Sequence, residues 1–549
     1  TEAMLQSTTN FTTTFKMKLK RIPILAAILC VSCVELSSNV GEDFLPGNQG
    51  YDMFNVDVPL DGLSNRMADS LSGFSQTRMA IGAIENSEGK IIRRSAATTI
   101  APMINTLDFG TDPEVKGMFL VMSIDTVSVA DTRYANVLQR LNVYELEKAY
   151  DSKKDFDCNG KNIRHKKERI TKGDPIIAGP GTISFELTDE YARKFLALSK
   201  DELKDKDQYL KKIPGLYFDT PDPMGEGGRI NVFGLQVQYS AEVNSIVSNF
   251  GTLNITSTYD GVKKDTSFLF YLGADNLYNA DSLIKATATG AYYPQYAINL
   301  TDENCYRKDA GKNAETIMIS GGGGLKPYIS AAWLKSAVTE AIIEKGGDPG
   351  TAIINKASLV LPFEFPDDYT QMFKFSEALS PTTRIKNDTS AVFVNLTDTS
   401  NETENGGDIN RSTLCFAPDF TYHMQKLLSV KDEDIANGNY DLWLLTMTTE
   451  VTTIDNSDAE LSQMYEELAY QSYYSSMYGG GGGYGYGDSY SNYYNYMMMA
   501  NYAANNVSSS STLALNLANY FDFKLNGPAF PDESRRPKLT VTFSLPKEK

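Results

Sequence analysis

Cys33 is the residue whose neighbours point most directly to a chemistry. Met17-Lys18-Leu19-Lys20-Arg21 is a short cationic start, Ile22 to Val31 is an apolar run, and the small Ser32 stands immediately before the cysteine. A cationic start, about ten apolar residues and a small residue before the cut describe an export signal, whereas a membrane-spanning helix needs roughly 20 apolar residues. A thiol in the first position after such a cut accepts acyl chains. Residues 1–32 are therefore expected to be removed, with 1–16 lying upstream of an initiator Met17, and Cys33 to carry lipid. Cys30 occupies the place where an aliphatic residue is usual, and it follows Leu29, which is too bulky for that cut. The alternative is an ordinary cleaved signal with an incidental cysteine, which leaves the compartment unchanged.

Acid–base and nucleophilic chemistry have few candidates. The chain holds 2 histidines, His165 and His423. His423 falls in a helix-like stretch, between Tyr422 and Met424, and reads as a helix-surface or boundary residue. His165 lies in Lys161-Asn162-Ile163-Arg164-His165-Lys166-Lys167-Glu168-Arg169, which is either a solvated hairpin loop or a basic patch for phosphates or an acidic partner. Neither context resembles a nucleophile motif. Gly321 to Gly324 is followed by Leu325-Lys326-Pro327, without the Ser or Thr of a phosphate-cradling loop, and is expected to be a flexible turn. Asp432 to Asp441 gathers oxygen ligands around Gly438, but the order of an EF-hand loop and its closing glutamate are missing. No metal, cofactor or catalytic set is expected.

The most unusual segment is the insertion 465–505. It places Tyr473, Tyr474 and Tyr478 before Gly479 to Gly483, then Tyr484, Tyr486, Tyr493, Tyr494 and Tyr496, and ends on Met497-Met498-Met499. It holds more than a third of the chain's 32 tyrosines. Glycine denies such a stretch a core, while tyrosine offers large contact faces at low rotamer cost, the mixture found in adaptable binding loops. These tyrosines are the candidate partner-binding residues. An inert low-complexity insertion is the competing reading.

These segments need a body to present them, and most of the chain reads as strands. Val115 to Val129 is followed by the alternating Leu141 to Leu146, and further runs lie at Thr182 to Leu187, Ile230 to Tyr239, Leu253 to Thr258, Ser267 to Leu272, Ala357 to Phe363, Ala391 to Leu396, Leu442 to Thr449 and Lys538 to Leu545. Short β-branched and aromatic runs separated by Gly, Asp, Asn and Pro predict a mainly β protein of two antiparallel β-sandwich, jelly-roll-like modules. Two helical insertions interrupt them. In Asp189 to Lys200, Tyr191, Phe195 and Leu198 share a face, with Thr188 as N-cap; Asp419 to Ser429 places Phe420, Met424, Leu427 and Leu428 similarly. Each is followed by a strand-like run, which suggests an internal duplication. The expected organisation is a tether at 33–50, an N-terminal module at 51–300 and a C-terminal module at 301–549 carrying the insertion.

The formal charge of −18 argues against nucleic acid as a partner and against anionic membrane surfaces except through the lipid. Of the 5 cysteines, Cys158, Cys305 and Cys415 are widely spaced, so a disulfide framework is not expected, although a single bridge stays open.

Several short segments together resemble the Bacteroidota lipoprotein family catalogued as domain of unknown function four-two-seven-zero. They are Gly41-Glu42-Asp43-Phe44-Leu45-Pro46, Val143-Tyr144-Glu145-Leu146, Gly321 through Ile329, and Ile354-Asn355-Lys356-Ala357-Ser358-Leu359-Val360-Leu361-Pro362. The resemblance implies an outer-membrane lipoprotein facing the cell exterior, and it has no catalytic residues to carry over. Arg536 to Phe543 also looks like the closing strand of jelly-roll modules on bacterial surface proteins. Together these readings lead to the expectation of a non-enzymatic, lipid-anchored accessory or scaffolding subunit of an envelope protein complex. Its partners would be the membrane, through the acyl chains, and other envelope proteins. The alternative is a surface glycan-binding lipoprotein, which the scarcity of tryptophan (2 residues, Trp333 and Trp443, both in apolar contexts) disfavours.

Overall fold

The computed structural model describes residues 50–547, apart from 69–70, 88, 103, 135, 151–156, 159–162, 236–237, 241–244, 248, 274–276, 278–295, 304–313, 387–390, 401–404, 456–462, 471–495 and 501–506. A small unit holds residues 50–53 and 545–547, in which the Lys547 amide donates to the Gly50 carbonyl at 2.9 Å. The larger unit is Phe54–Ser544. It is mainly β, built of several antiparallel sheets with few helices, as the strand-like runs predict.

The largest sheet has 13 strands. Its longest member, Thr111–Ser128, buries Met118, Leu120, Met122 and Ile124, every second residue, because successive side chains of a strand point to opposite faces. From Ile91–Thr98 the pairing runs through Arg78–Glu85, Gly227–Gly234, Thr111–Ser128, Phe250–Tyr259 and Val262–Leu272 to Ile100–Pro102. That last strand is the first one continued past Thr99, so the path of pairing returns to the stretch of chain it left and the sheet curls around its own core. The hairpin Phe250–Tyr259/Val262–Leu272 turns at Asp260-Gly261, both with positive φ, the two-residue geometry that suits the twist of paired strands.

Two short helices seal this core. Thr188 caps Asp189–Leu196 by accepting from the Tyr191 amide, as its position predicts, and Tyr191, Ala192 and Phe195 are buried. Phe195 meets Phe270 edge-on at 4.7 Å. In Lys206–Lys212, which the apolar pattern does not announce, Asp205 is the cap and the buried Tyr209 hydroxyl donates to the Ile100 carbonyl at 2.8 Å. Opposite polar needs are met in the same core: the fully buried Arg229 donates to Asn231 Oδ1 and to the Ile177 carbonyl, each at 2.7 Å.

Two five-stranded sheets complete the larger framework. One runs Tyr51–Pro59, Lys538–Pro546, Ile353–Pro362, Cys415–Phe416, Ile409–Asn410; the other Ser64–Met67, Leu325–Ile329, Leu442–Leu445, Ser380–Lys386, Ala391–Asn395. Sheet membership thus departs from chain order. The strands Tyr51–Pro59 and Ser64–Met67 pair with strands of the second half, and Ala297–Glu303, which spans the expected boundary at 300, belongs to the 13-stranded sheet. A third helix, Ala331–Glu344, capped by the Ser330 side chain, buries Leu334, Val338 and Ile342. Both tryptophans serve packing: Trp443 is buried against Tyr328 and Phe393, and a side chain at Gly62 would collide with the Trp333 ring.

Candidate functional site

The tyrosine-rich insertion lies in sequence between two paired strands. Met447–Asp455 pairs with Val507–Leu515 in unbroken register from Met447↔Leu515 to Asp455↔Val507, a two-stranded ribbon that joins no other sheet among the described residues. Beyond it, residues 463–470 and 496–500 are helical, and the rings of Tyr465 and Tyr496 stack with centroids 6.4 Å apart. Tyr496 is thus the one candidate binding residue among those described. Cys33, Tyr473, Tyr474, Tyr478, Tyr484, Tyr486, Tyr493 and Tyr494 lie outside the described residues.

His165 corrects the loop expectation. It opens the strand His165–Arg169, which pairs with Asn142–Leu146, and its ring stacks on Tyr217 at 4.2 Å and touches Tyr144 at 4.6 Å. Three basic side chains near it meet carboxylates. Lys166 reaches Glu145 at 2.8 Å, Arg169 pairs with Asp174, and Lys172 pairs with Glu186 and Asp189 at 2.7 Å each. The glycine run is a turn, but a packed one. A Cβ at Gly322, whose φ is positive, would come within 2.9 Å of the Arg94 guanidinium, and the buried Lys326 ammonium donates to the Ser320 carbonyl.

His423 also departs from expectation. It is only 6% exposed, and it borders a cavity of about 600 Å³. The cavity opens between the hairpin Ser380–Lys386/Ala391–Asn395, the 3-10 turn Thr397–Ser400, the helix Thr421–Ser429 and the loop from Asp434 to Tyr440. Phe420, at the N-cap position of that helix, provides no side-chain cap. Asp398 substitutes from a distance: one oxygen accepts from the Tyr422 amide at 2.6 Å and the other from the His423 amide at 3.2 Å. The His423 ring places Nε2 3.1 Å from the Tyr440 carbonyl, and burial pushes its pKa below the ordinary 6.5 against the opposing pull of that carbonyl and of Asp398. The imidazole is therefore neutral near pH 7 and acts as a donor to the carbonyl, not as a base beside a hydroxyl or thiol.

The two ends of the oxygen-rich loop that lines this cavity are committed to the protein. Asp432 accepts from Lys335 at 2.8 Å, and Asp441 accepts from the Tyr328 hydroxyl at 2.6 Å and from the Ala331 amide at 2.9 Å. Among the described residues no group of three His, Cys, Asp or Glu side chains is placed to hold a metal ion, and no helix is long and apolar enough to cross a membrane. The pattern of the Thr421–Ser429 helix already puts Tyr422 and Lys426 off its buried face, but nothing local in the sequence connects Asp398 to it. Comparison of the chain with family models, with curated proteins and with solved structures found no match. The family resemblance accordingly rests on its short sequence segments.

Proposed function

We propose that this is a non-enzymatic lipoprotein of the outer membrane, held by acyl chains on Cys33 at the outer face, that serves as an accessory or scaffolding subunit of an envelope protein complex. The observation that carries this reading is the setting of the insertion. A ladder in register from end to end flanks the insertion, so contact area in it can be offered to a partner without unpairing any other sheet among the described residues. The export signal and the family resemblance supply the address. Deleting Tyr473 to Met499 tests it: the melting temperature should stay within a few degrees of the parent's, and co-purification of envelope partners should weaken. Unfolding on deletion would place the segment in the core, and undiminished co-purification would leave it an inert insertion. The anchor has its own test, since Cys33→Ala should move the protein out of the membrane fraction; a parent protein without incorporated fatty acid removes it.

A second reading, surface glycan capture, draws support from one specific feature, the polar cavity beside His423. Amides and hydroxyls line it from three elements, and an exposed tyrosine stands at its mouth.

A further inference from the structure

We propose that the cavity beside the Thr421–Ser429 helix binds a neutral sugar unit of an oligosaccharide, stacked on Tyr422 and hydrogen-bonded by Asn395 and Asn437. The inference rests on the glycan reading and is independent of the docking role of the insertion.

Four features of the cavity select this ligand. Its size, about 600 Å³, falls in the roughly 300–1,000 Å³ range of small-molecule sites. Its exposed edge carries Tyr422, Ile385 and Val394 together with the polar Asn437, Asp434 and Lys426. Tyr422 is 60% exposed, with Ile385 and Val394 beside it 39% and 41% exposed, whereas Asp398 and His423 are buried. A pyranose combines the same two characters, an apolar C–H face for an aromatic ring and a rim of hydroxyls that both donate and accept. Carboxamides suit such a rim because each offers both senses of hydrogen bond. Asn437 is presented on a built support: its Oδ1 accepts from the Asn439 amide at 2.8 Å, and Asn439 Oδ1 in turn accepts from the Lys386 amide at 2.8 Å.

Charge then excludes the neighbouring ligand classes. An anion entering here would meet the carboxylates of Asp398 and Asp434 against the single ammonium of Lys426. A cation would gain from those two carboxylates but would meet the Lys426 ammonium, which stands 5.7 Å from the Tyr440 ring centre. A ligand with hydroxyls and no charge avoids both conflicts.

Titration calorimetry on the whole mature protein tests this, with hexaoses built on glucose, mannose, galactose and xylose as neutral probes and hexagalacturonate as the charged one. At least one neutral hexaose should bind, and Tyr422→Ala and Asn437→Ala should each weaken it by about tenfold or more, as losing a central contact does. Because Tyr422 is largely exposed, its variant should melt with the parent, which separates lost binding from lost folding. Deleting Tyr473 to Met499 should leave the affinity unchanged. Preference for hexagalacturonate that Tyr422→Ala abolishes would overturn the neutral assignment while leaving glycan capture in place. Failure of all five probes, or neutral binding untouched by both substitutions, would overturn the cavity as a sugar site.

Discussion

The helices Asp189–Leu196 and Thr421–Ser429 share a local plan, an amphipathic stretch followed by a largely buried strand (Leu216–Asp219 and Leu442–Leu445), but they do different work. The first is self-contained. Thr188 caps it, Asp189 and Glu190 stand at its positive end, Arg193 and Lys194 at its negative end, and the buried Tyr191, Ala192 and Phe195 face an apolar core. The second has no cap in its own sequence and borrows one from Asp398. Borrowing brings a buried carboxylate, a neutral histidine and an exposed tyrosine to the edge of one cavity. A helix that completes its ends locally can close a core, whereas one completed by tertiary contact draws polar groups together where a ligand can meet them.

The largest expected effect lies on the self-contained side. Phe195→Ala removes a fully buried ring packed on Phe270 and should lower the unfolding free energy by about 3–5 kcal/mol in urea titrations; a loss below about 1 kcal/mol would mean the helix is not what closes the curled sheet. Asp398→Ala should cost about 2 kcal/mol by the same measurement, since two helix amides lose their acceptor inside the protein. Thr188→Ala should cost about 1 kcal/mol, the usual value of a single exchangeable cap. If the two cap variants prove equal, the contrast between local and borrowed capping disappears.

The smallest effect is one of pH. Because burial lowers the His423 pKa below 6.5, the unfolded chain binds a proton that the folded chain refuses in the window between the folded value and 6.5. The resulting stability is complete above that window and is lost as pH falls through it. His423→Gln should flatten this part of the stability curve relative to the parent, with thermal melts from pH 7 down to about 5 as the measurement. Parallel curves for parent and variant would show that the imidazole takes up its proton without cost and lies in a wetter place than its burial indicates.

Local signals were legible to different depths. Alternation at Met118 to Ile124, the Thr188 cap and the strand-like runs around Leu253 and Leu269 translate directly into elements, because period and capping act over a few residues. Ala331–Glu344 had its signals too, Ser330 ahead of buried Leu334, Val338 and Ile342, but they stand among glycine- and strand-rich neighbours that draw the eye to β structure. The basic run at His165 reads as a loop in the sequence because every residue from Arg164 to Arg169 is polar. Its strand character comes from pairing with Asn142–Leu146 and from carboxylates at Glu145 and Asp174, which the fold supplies from elsewhere.

By itself the sequence determined the β character of the protein, the capped helix at Asp189 and the packing role of both tryptophans, all consequences of side-chain type and short-range period. Tertiary structure alone decided that Tyr51–Pro59 and Ser64–Met67 pair with strands of the second half, that Ile100–Pro102 pairs with Val262–Leu272 at the far end of the large sheet from Ile91–Thr98, and that Asp398 caps a helix through an amide 24 residues further on. These are contacts between distant segments. Strand pairing uses backbone groups that every residue carries, and a carboxylate accepts from any amide it reaches, so no local pattern distinguishes the partner that the fold selects.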